Sequence, residues 1–198
     1  MIAIVDYQAG NLASVKKALE HLGHAAEITS SPDTVARAGR IVLPGVGHFS
    51  ATARLEQSGL RDAIRDAIAR GTPFLGICVG MQWMFQGSEE APSIRGLGVL
   101  PGVCGRFNSA VKVPHVGWNT VQPRGSSRLL EGLGSEFFVY YTHSYRSPAT
   151  PESCGTTEYG GAFSAVVEHG NLLGVQFHPE KSGEAGLRIL DNFARLAC

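Results

Sequence analysis

Between Pro73 and Gln82 the chain has few conformations open to it. Phe74-Leu75-Gly76-Ile77 is apolar without polar alternation, the pattern of a strand buried on both faces. It runs directly into Cys78, with Gly76 and Gly80 on either side, and then into a helical stretch. Turning from strand to helix in so few residues crowds the backbone, and flanking glycines relieve the clash. Such a turn lifts a cysteine above the sheet edge. It also places the sulfur at a helix N-terminus, where unpaired N–H groups favour a thiolate. The N–H of Val79, the next residue, points where an oxyanion would form. By itself the pattern also describes a small core cysteine in a glycine-rich turn.

The rest of the chain extends this element into a fold class. Met1 to Val5 reads as a buried strand, and Asn11 as the N-cap of a helix with Leu12, Val15, Leu19 and Leu22 on one face. Gly23 ends that helix. Ala25 to Thr29 and Arg40 to Leu43 read as further strands, the latter broken by Pro44. Leu60, Ile64, Ala67 and Ile68 mark a second amphipathic helix closed by Gly71. Strand and helix alternate, which predicts a parallel sheet with helices on both faces. From Val99 to Val167 short segments such as Phe137–Tyr141 and Phe163–Val167 lie between Gly, Pro and Ser clusters, which predicts antiparallel additions. Leu172 to Phe177 is again a buried strand. Leu187, Leu190, Phe193, Ala194 and Ala197 give a closing helix. The expectation is an α/β fold with an open, mostly parallel central sheet, and one domain over residues 1–198.

Composition narrows the function classes. Lys+Arg and Asp+Glu both number 17, so no basic footprint for nucleic acid or an anionic membrane stands out. No apolar run approaches the roughly 20 residues of a membrane span, and Met1–Val5 lacks the layout of a secretory leader. A cytoplasmic protein is expected. Cys78, Cys104, Cys154 and Cys198 show no metal-binding spacing and no disulfide framework. Cys104, Cys154 and Cys198 read as packing or surface thiols. No cofactor and no metal are expected: His115 and His143 have no second ligand at metal spacing, and His21 and His24 read as solvated.

A second segment gives the cysteine a chemistry. Val175-Gln176-Phe177-His178-Pro179-Glu180 puts an imidazole and a carboxylate after an apolar strand. Pro179 restricts His178 to extended backbone. If the chain stays extended, alternation puts His178 and Glu180 on one side, where the carboxylate can hold the imidazole tautomer. Cysteine, histidine and acid together suit acyl transfer through a thioester. Leu43-Pro44-Gly45-Val46-Gly47 is a further glycine-dependent turn after a strand. It lacks the ending of a phosphate loop, and the N–H of Val46 or Gly47 could complete an oxyanion hole with that of Val79. A plain Pro-Gly turn is the competing description.

Gly76-Ile77-Cys78-Val79-Gly80-Met81-Gln82 together with His178-Pro179-Glu180 resembles the class I, or triad, glutamine amidotransferases, whose sheet is flavodoxin-like. Further segments resemble the branch that supplies ammonia to a cyclase of histidine biosynthesis. These are Asp6-Tyr7 with Gly10-Asn11-Leu12, Leu43–Gly47, Val113-Pro114-His115-Val116-Gly117-Trp118-Asn119, Tyr141-Thr142-His143-Ser144-Tyr145 and Gly174–Ser182. Gln8 stands where glycine is common, and Val79 where leucine is. The resemblance implies glutamine as substrate, with Cys78 as nucleophile, His178 as base and Glu180 as its orienting acid. It implies substrate contacts at Gly45, Gln82, His143, Ser144 and Tyr145. It also implies a heterodimer with a separate (β/α)₈-barrel cyclase subunit, which makes imidazole glycerol phosphate and an aminoimidazole carboxamide ribotide. Asn11, Trp118, Tyr140 and Lys181 would lie near that contact. A triad glutaminase for another synthase is the nearest alternative, and a cysteine peptidase or non-catalytic relative the more distant one.

Overall fold

Apolar strands with amphipathic connections pack as layers, and the computed structural model, which describes residues 1–197, takes that form. The elements begin β1 (Ile2–Val5), α1 (Leu12–His21), β2 (Ala26–Thr29), α2 (Pro32–Ala36) and β3 (Arg40–Gly45). Then come α3 (Ala53–Gln57), α4 (Leu60–Ala69), β4 (Phe74–Cys78) and α5 (Val79–Gln82). The second part carries β5 (Gly87–Ser88), β6 (Val103–Arg106), β7 (His115–Pro123), β8 (Phe137–His143) and β9 (Tyr145–Arg146). It ends with β10 (Ser153–Glu158), β11 (Ala162–His169), β12 (Leu172–Val175) and α6 (Gly183–Arg195). Cys198 lies outside the described residues.

Among the described residues, nine strands form one sheet in the order β2-β1-β3-β4-β12-β11-β10-β7-β8. The first five are parallel. The pairings from β12 to β8 are all antiparallel. The antiparallel part is therefore as large as the parallel one, more than the expected additions to a mostly parallel sheet. β5, β6 and β9 make a small second sheet. The connection from β1 leads outward to β2, while those after β2 and β3 lead back. Right-handed crossovers then set α1 on one face and α2 and α4 on the other. Accordingly α1 touches α6, and α2 touches α4.

The helices form where the apolar spacing places them. Val15 and Leu19 of α1, Leu60 and Ile64 of α4, and Leu190 and Phe193 of α6 are all buried. Each such side chain contributes about 1.5–3 kcal/mol of burial. Ala197 lies beyond α6 and is exposed. Three local expectations need correction. Asn11 precedes α1 but makes no capping bond. Pro44 does not break β3. Ile41 N–H points towards β4, bonding Pro73 O, so by alternation Pro44 faces the β1 side. The pairing with β1 has ended at Val42 there, and a residue lacking an N–H loses nothing. Finally, His24 is not solvated: its Nε2 meets Asp191 Oδ1 of α6 at 2.7 Å.

Candidate active site

Cys78 ends β4 with φ 53° and ψ −108°, left-handed backbone that only a tight turn imposes on a side-chain-bearing residue. The glycines around it are sterically required. A Cβ on Gly80 would lie 1.9 Å from Leu43 O, and one on Gly76 would lie 2.5 Å from Gly80 O. A Cβ on Gly45 would sit 2.6 Å from the Tyr7 hydroxyl and 2.7 Å from Val79 Cβ. The parallel register puts Gly45 of β3 beside Cys78. The glycines thus let β3, β4 and α5 approach until backbone touches backbone. α5 holds only Val79–Gln82, so its dipole is slight, but the Val79 N–H lies in its first turn, where no intrahelical acceptor exists.

His178 follows β12, which pairs with β4, and so the two distant segments meet at the carboxyl edge of the parallel strands. Its backbone is extended, φ −100° and ψ 96°, as Pro179 demands. Pro179–Lys181 then forms a 3₁₀ turn. The extended chain expected to align His178 with Glu180 is absent, and the turn does that work: Glu180 Oε1 reaches His178 Nδ1 at 3.0 Å. Ser182 clamps the imidazole's backbone from behind. Its hydroxyl donates to His178 O at 2.7 Å and accepts from Tyr140 N–H at 3.0 Å. Asn11, free of capping duty, donates from Nδ2 to Glu180 Oε1 at 3.2 Å.

The side chains of His178 and Glu180 are 1% and 0% exposed. Burial alone would pull the imidazole pKa down. The nearby Cys78 charge, and then the hydrogen bond to Glu180 and its charge, outweigh it and hold His178 well above its ordinary value. With Nδ1 bound to Glu180, the ring turns Nε2 towards Cys78 without closing a well-aligned hydrogen bond. Tyr7 has a buried, unpartnered hydroxyl and is pushed up by burial and by the Cys78 charge.

A pocket of about 210 Å³ opens over the sulfur, walled by Gly47, Val79, Gln82, Glu90, Pro114, Thr142, His143, Ser144 and Tyr145. Gln82 is 2% exposed, and its NH₂ donates to Tyr145 O at 2.8 Å. What it can offer the pocket is its acceptor oxygen. Gly47, at φ +88°, lies on the wall. Val46 is 36% exposed and stands off it, while Gly45 is packed beneath. His143 reaches the wall, but its ring is committed to Tyr145 O through Nδ1 and to His115 through Nε2. Among the described residues no group of three or more His, Cys, Asp and Glu could hold a metal. Sequence reasoning missed Glu90, whose Oε2 accepts Phe49 N–H at 2.7 Å and so ties the turn after β3 to the wall. Pro114, Thr142, Ser182 and Gln176 lie within segments that carry the resemblance, but no role was expected of them; Glu90 lies outside those segments.

The residues expected at a partner contact share one region. Trp118 and Tyr140 are opposite each other in the β7–β8 pair, their rings 6.1 Å apart and edge to face. Lys181 Nζ lies 5.8 Å from the centre of the Tyr140 ring. Alternation along the same face adds Val116 and Phe138, so Val116, Trp118 and Phe138 stand 56%, 56% and 61% exposed at the sheet edge. Together they form an exposed apolar face at the edge of the nine-stranded sheet.

A cysteine at a strained strand-to-helix turn, a buried His–Glu pair beside it and a doubly wound sheet define a triad amidotransferase. The family model described as glutamine amidotransferase class-I matches residues 3–197, and the chain belongs to that family. A solved structure described as a glutamine amidotransferase superposes with TM-score 0.78 at 20% identity, covering 99% of this chain and 100% of the other. Within the family the chain is 47% identical to the imidazole glycerol phosphate synthase subunit HisH of Moorella thermoacetica, over 98% of this chain and 94% of that one. It is 41% identical to the chloroplastic imidazole glycerol phosphate synthase hisHF of Arabidopsis thaliana, over 98% of this chain but 34% of that longer protein. The chain is a member of the HisH group.

Proposed function

We propose that this chain hydrolyses glutamine to glutamate and ammonia and passes the ammonia to a cyclase subunit of imidazole glycerol phosphate synthase in histidine biosynthesis. One observation carries the reading: Cys78 lines a pocket sized for one amino acid, with the buried His178–Glu180 pair beside it. In this mechanism Cys78 attacks the side-chain carboxamide carbon as a thiolate facing imidazolium. The oxyanion that forms is held by the N–H of Val79 and by N–H groups of the Val46–Gly47 turn; loss of one such donor typically costs about 10²–10³-fold in turnover. His178 Nε2 gives its proton to the departing nitrogen, which leaves as ammonia. The acyl group stays on sulfur as a thioester. His178 then takes a proton from water, hydroxide displaces the sulfur, and glutamate is released. Glu180, steadied by Asn11, keeps the ring in the tautomer this requires.

The pocket walls suit the amino-acid end of the substrate. Glu90 supplies negative charge for the α-ammonium and Gln82 an acceptor oxygen, with Gly45 shaping the floor. The backbone of His143, Ser144 and Tyr145 completes the wall. The exposed face around Trp118, Tyr140 and Lys181, with Asn11 beside Glu180, is assigned to a (β/α)₈-barrel partner in a heterodimer. The plant relative is more than twice as long as this chain, which leaves room for a second unit in one polypeptide. We read residues 1–198 as a single amidotransferase domain, since one continuous apolar core runs through the described residues, and place it in the cytoplasm. Among the described residues no helix is long and apolar enough to cross a membrane.

The test is glutamine hydrolysis and ammonia-driven synthesis by the chain with its cyclase, before and after Cys78→Ala. Hydrolysis is lost and synthesis from added ammonia retained. Hydrolysis that survives in Cys78→Ala overturns the nucleophile, and no effect of the cyclase on hydrolysis overturns the partnership.

A further inference from the structure

Register makes Gln176 the neighbour of the nucleophile. β12 runs parallel to β4 with Val175 opposite Ile77, so Gln176 and Cys78, each the next residue, emerge side by side at the sheet's end. Gln176 is fully buried, where an amide needs partners for both of its ends. Its Oε1 accepts from Ser147 N–H at 3.1 Å, the Ser147 hydroxyl at 3.2 Å and Gln82 Nε2 at 3.3 Å.

Those partners fix which way the amide points. A backbone N–H can only donate, so the atom facing Ser147 N–H is the oxygen. At the far end of the chain of bonds, the Tyr145 carbonyl can only accept, so Gln82 presents its NH₂ there and again donates to Gln176 Oε1. Two backbone groups therefore set both side-chain amides. The Gln176 NH₂ is left facing Cys78 Sγ at 3.8 Å, within the longer reach of sulfur. A residue serving packing alone would not need three donors on its oxygen to aim its nitrogen.

We propose that Gln176 is a thiolate-holding residue: its N–H donates to the Cys78 sulfur, keeping it charged and aimed while the pocket is empty. This rests on Cys78 being the nucleophile proposed above. Hydrogen bonds to a charged group are the strong ones, and a fixed donor needs no reorganisation when the charge appears. The other ionisable groups around the sulfur leave room for such a donor. His178 supplies the cation, with Glu180 behind it, and Glu90 stands across the pocket. Tyr7 and Cys104 are both pushed up, chiefly by burial, and stay neutral. His143 is pushed down by burial and is neutral too.

The experiment is the pH dependence of Cys78 alkylation by iodoacetamide, with the modified residue located by peptide mass spectrometry. Glutaminase kinetics with the cyclase are measured on the same proteins. Gln176→Met keeps the length and loses the donor. Gln176→Glu keeps an acceptor for Ser147 and Gln82 but turns oxygen to the sulfur. Each raises the alkylation midpoint by about one pH unit, the loss of about tenfold in thiolate stabilisation. kcat falls about tenfold, while KM for glutamine moves less than about threefold. A midpoint within about 0.3 unit of the native one in a folded variant overturns the proposal, whatever the activity.

A measurement on the native chain removes any dependence on folding of the variants. The Gln176 side-chain amide proton, followed by NMR, shifts downfield as Cys78 ionises, and that pH dependence disappears in Cys78→Ala. An amide proton indifferent to Cys78 ionisation overturns the proposal. Unmoved midpoints beside an inactive Cys78→Ala sink this inference alone. Glutaminase surviving in Cys78→Ala sinks the reading beneath it.

Discussion

Lowering the pH from 6.5 to 4.5 acts on a buried pair of histidines whose protons are already allotted. His143 Nδ1 faces the Tyr145 carbonyl at 2.8 Å and must carry a proton there. Its Nε2 then accepts from His115 Nδ1 at 3.1 Å, and His115 Nε2 accepts from Asn119 Nδ2 at 3.3 Å. Each ring holds one proton, and a second on either would set donor against donor. Rings of Phe107, Tyr141, Tyr159 and Phe163 surround the pair. Burial is the main cause that lowers His115 to about 4 and His143 to about 3. An unfolded histidine titrates near 6.5. Below that pH the unfolded chain takes up protons that the folded chain refuses, so the pair's contribution is complete above about 6.5 and drains away on acidification. One refused proton costs about 1.4 kcal/mol per pH unit, and two cost about 2.7. His178 behaves in the opposite sense. Its raised pKa adds stability that is complete below about 6.5 and fades only as pH rises through about 10, so it does not enter the acid window. Urea unfolding followed by fluorescence at steps from pH 7.5 to 4.5, on the native chain and His143→Gln, reads the effect. Glutamine can donate to Tyr145 O and accept from His115 without titrating, so the variant's slope is shallower by about one proton. Equal slopes, or native stability that stays flat down to pH 4.5, refute the argument.

Three further outcomes follow from the packing. Gly80→Ala drives a Cβ to 1.9 Å from Leu43 O, beyond what backbone can yield, and destabilises by about 3 kcal/mol or more; a Tm within about 2 °C of native contradicts the steric account. Asn11→Ala removes a donor to the fully buried Glu180 and costs about 1.5–3 kcal/mol. Thermal unfolding measures that cost, and glutaminase activity falls with it; unchanged activity means that Glu180 does not depend on Asn11. Phe138→Glu and Trp118→Asp place charge on the exposed β7–β8 face and weaken cyclase binding in calorimetry by about 2 kcal/mol or more each. The Tm of the free chain stays within a few degrees, and full affinity in both variants moves the contact elsewhere.

The parts of the site readable along the chain are those where local sterics leave one choice. Gly76 and Gly80 had to be glycine for a strand to become a helix at Cys78, and Pro179 had to hold His178 extended. The sheet's parallel half was readable for the same reason, as uninterrupted apolar strands such as Phe74–Ile77 suit burial on two faces. Long-range partners were not readable. Asn11 has the residue type and position of a helix cap, and only the fold brings Glu180, 169 positions away, to its amide. His24 looked solvated because Asp191 lies 167 positions on. Pro44 looked like a break because the end of β1 pairing at Val42 is a property of the sheet. Gln176 and Glu90 are common polar residues whose roles come from strand register and loop closure. Gln8, at φ 63°, occupies a left-handed position that glycine fills without strain, which accounts for glycine being common there.

In the proposed reaction the Cys78 sulfur is the atom that bonds to substrate. A glutamine analogue bearing an electrophilic ketone in place of the carboxamide, incubated with the chain and its cyclase and followed by intact mass and peptide mapping, reads this directly. One adduct, on Cys78, is expected to form as glutaminase activity disappears and to be slowed by glutamine. An adduct on Cys104 or Cys154, or lost activity with Cys78 unmodified, would contradict it.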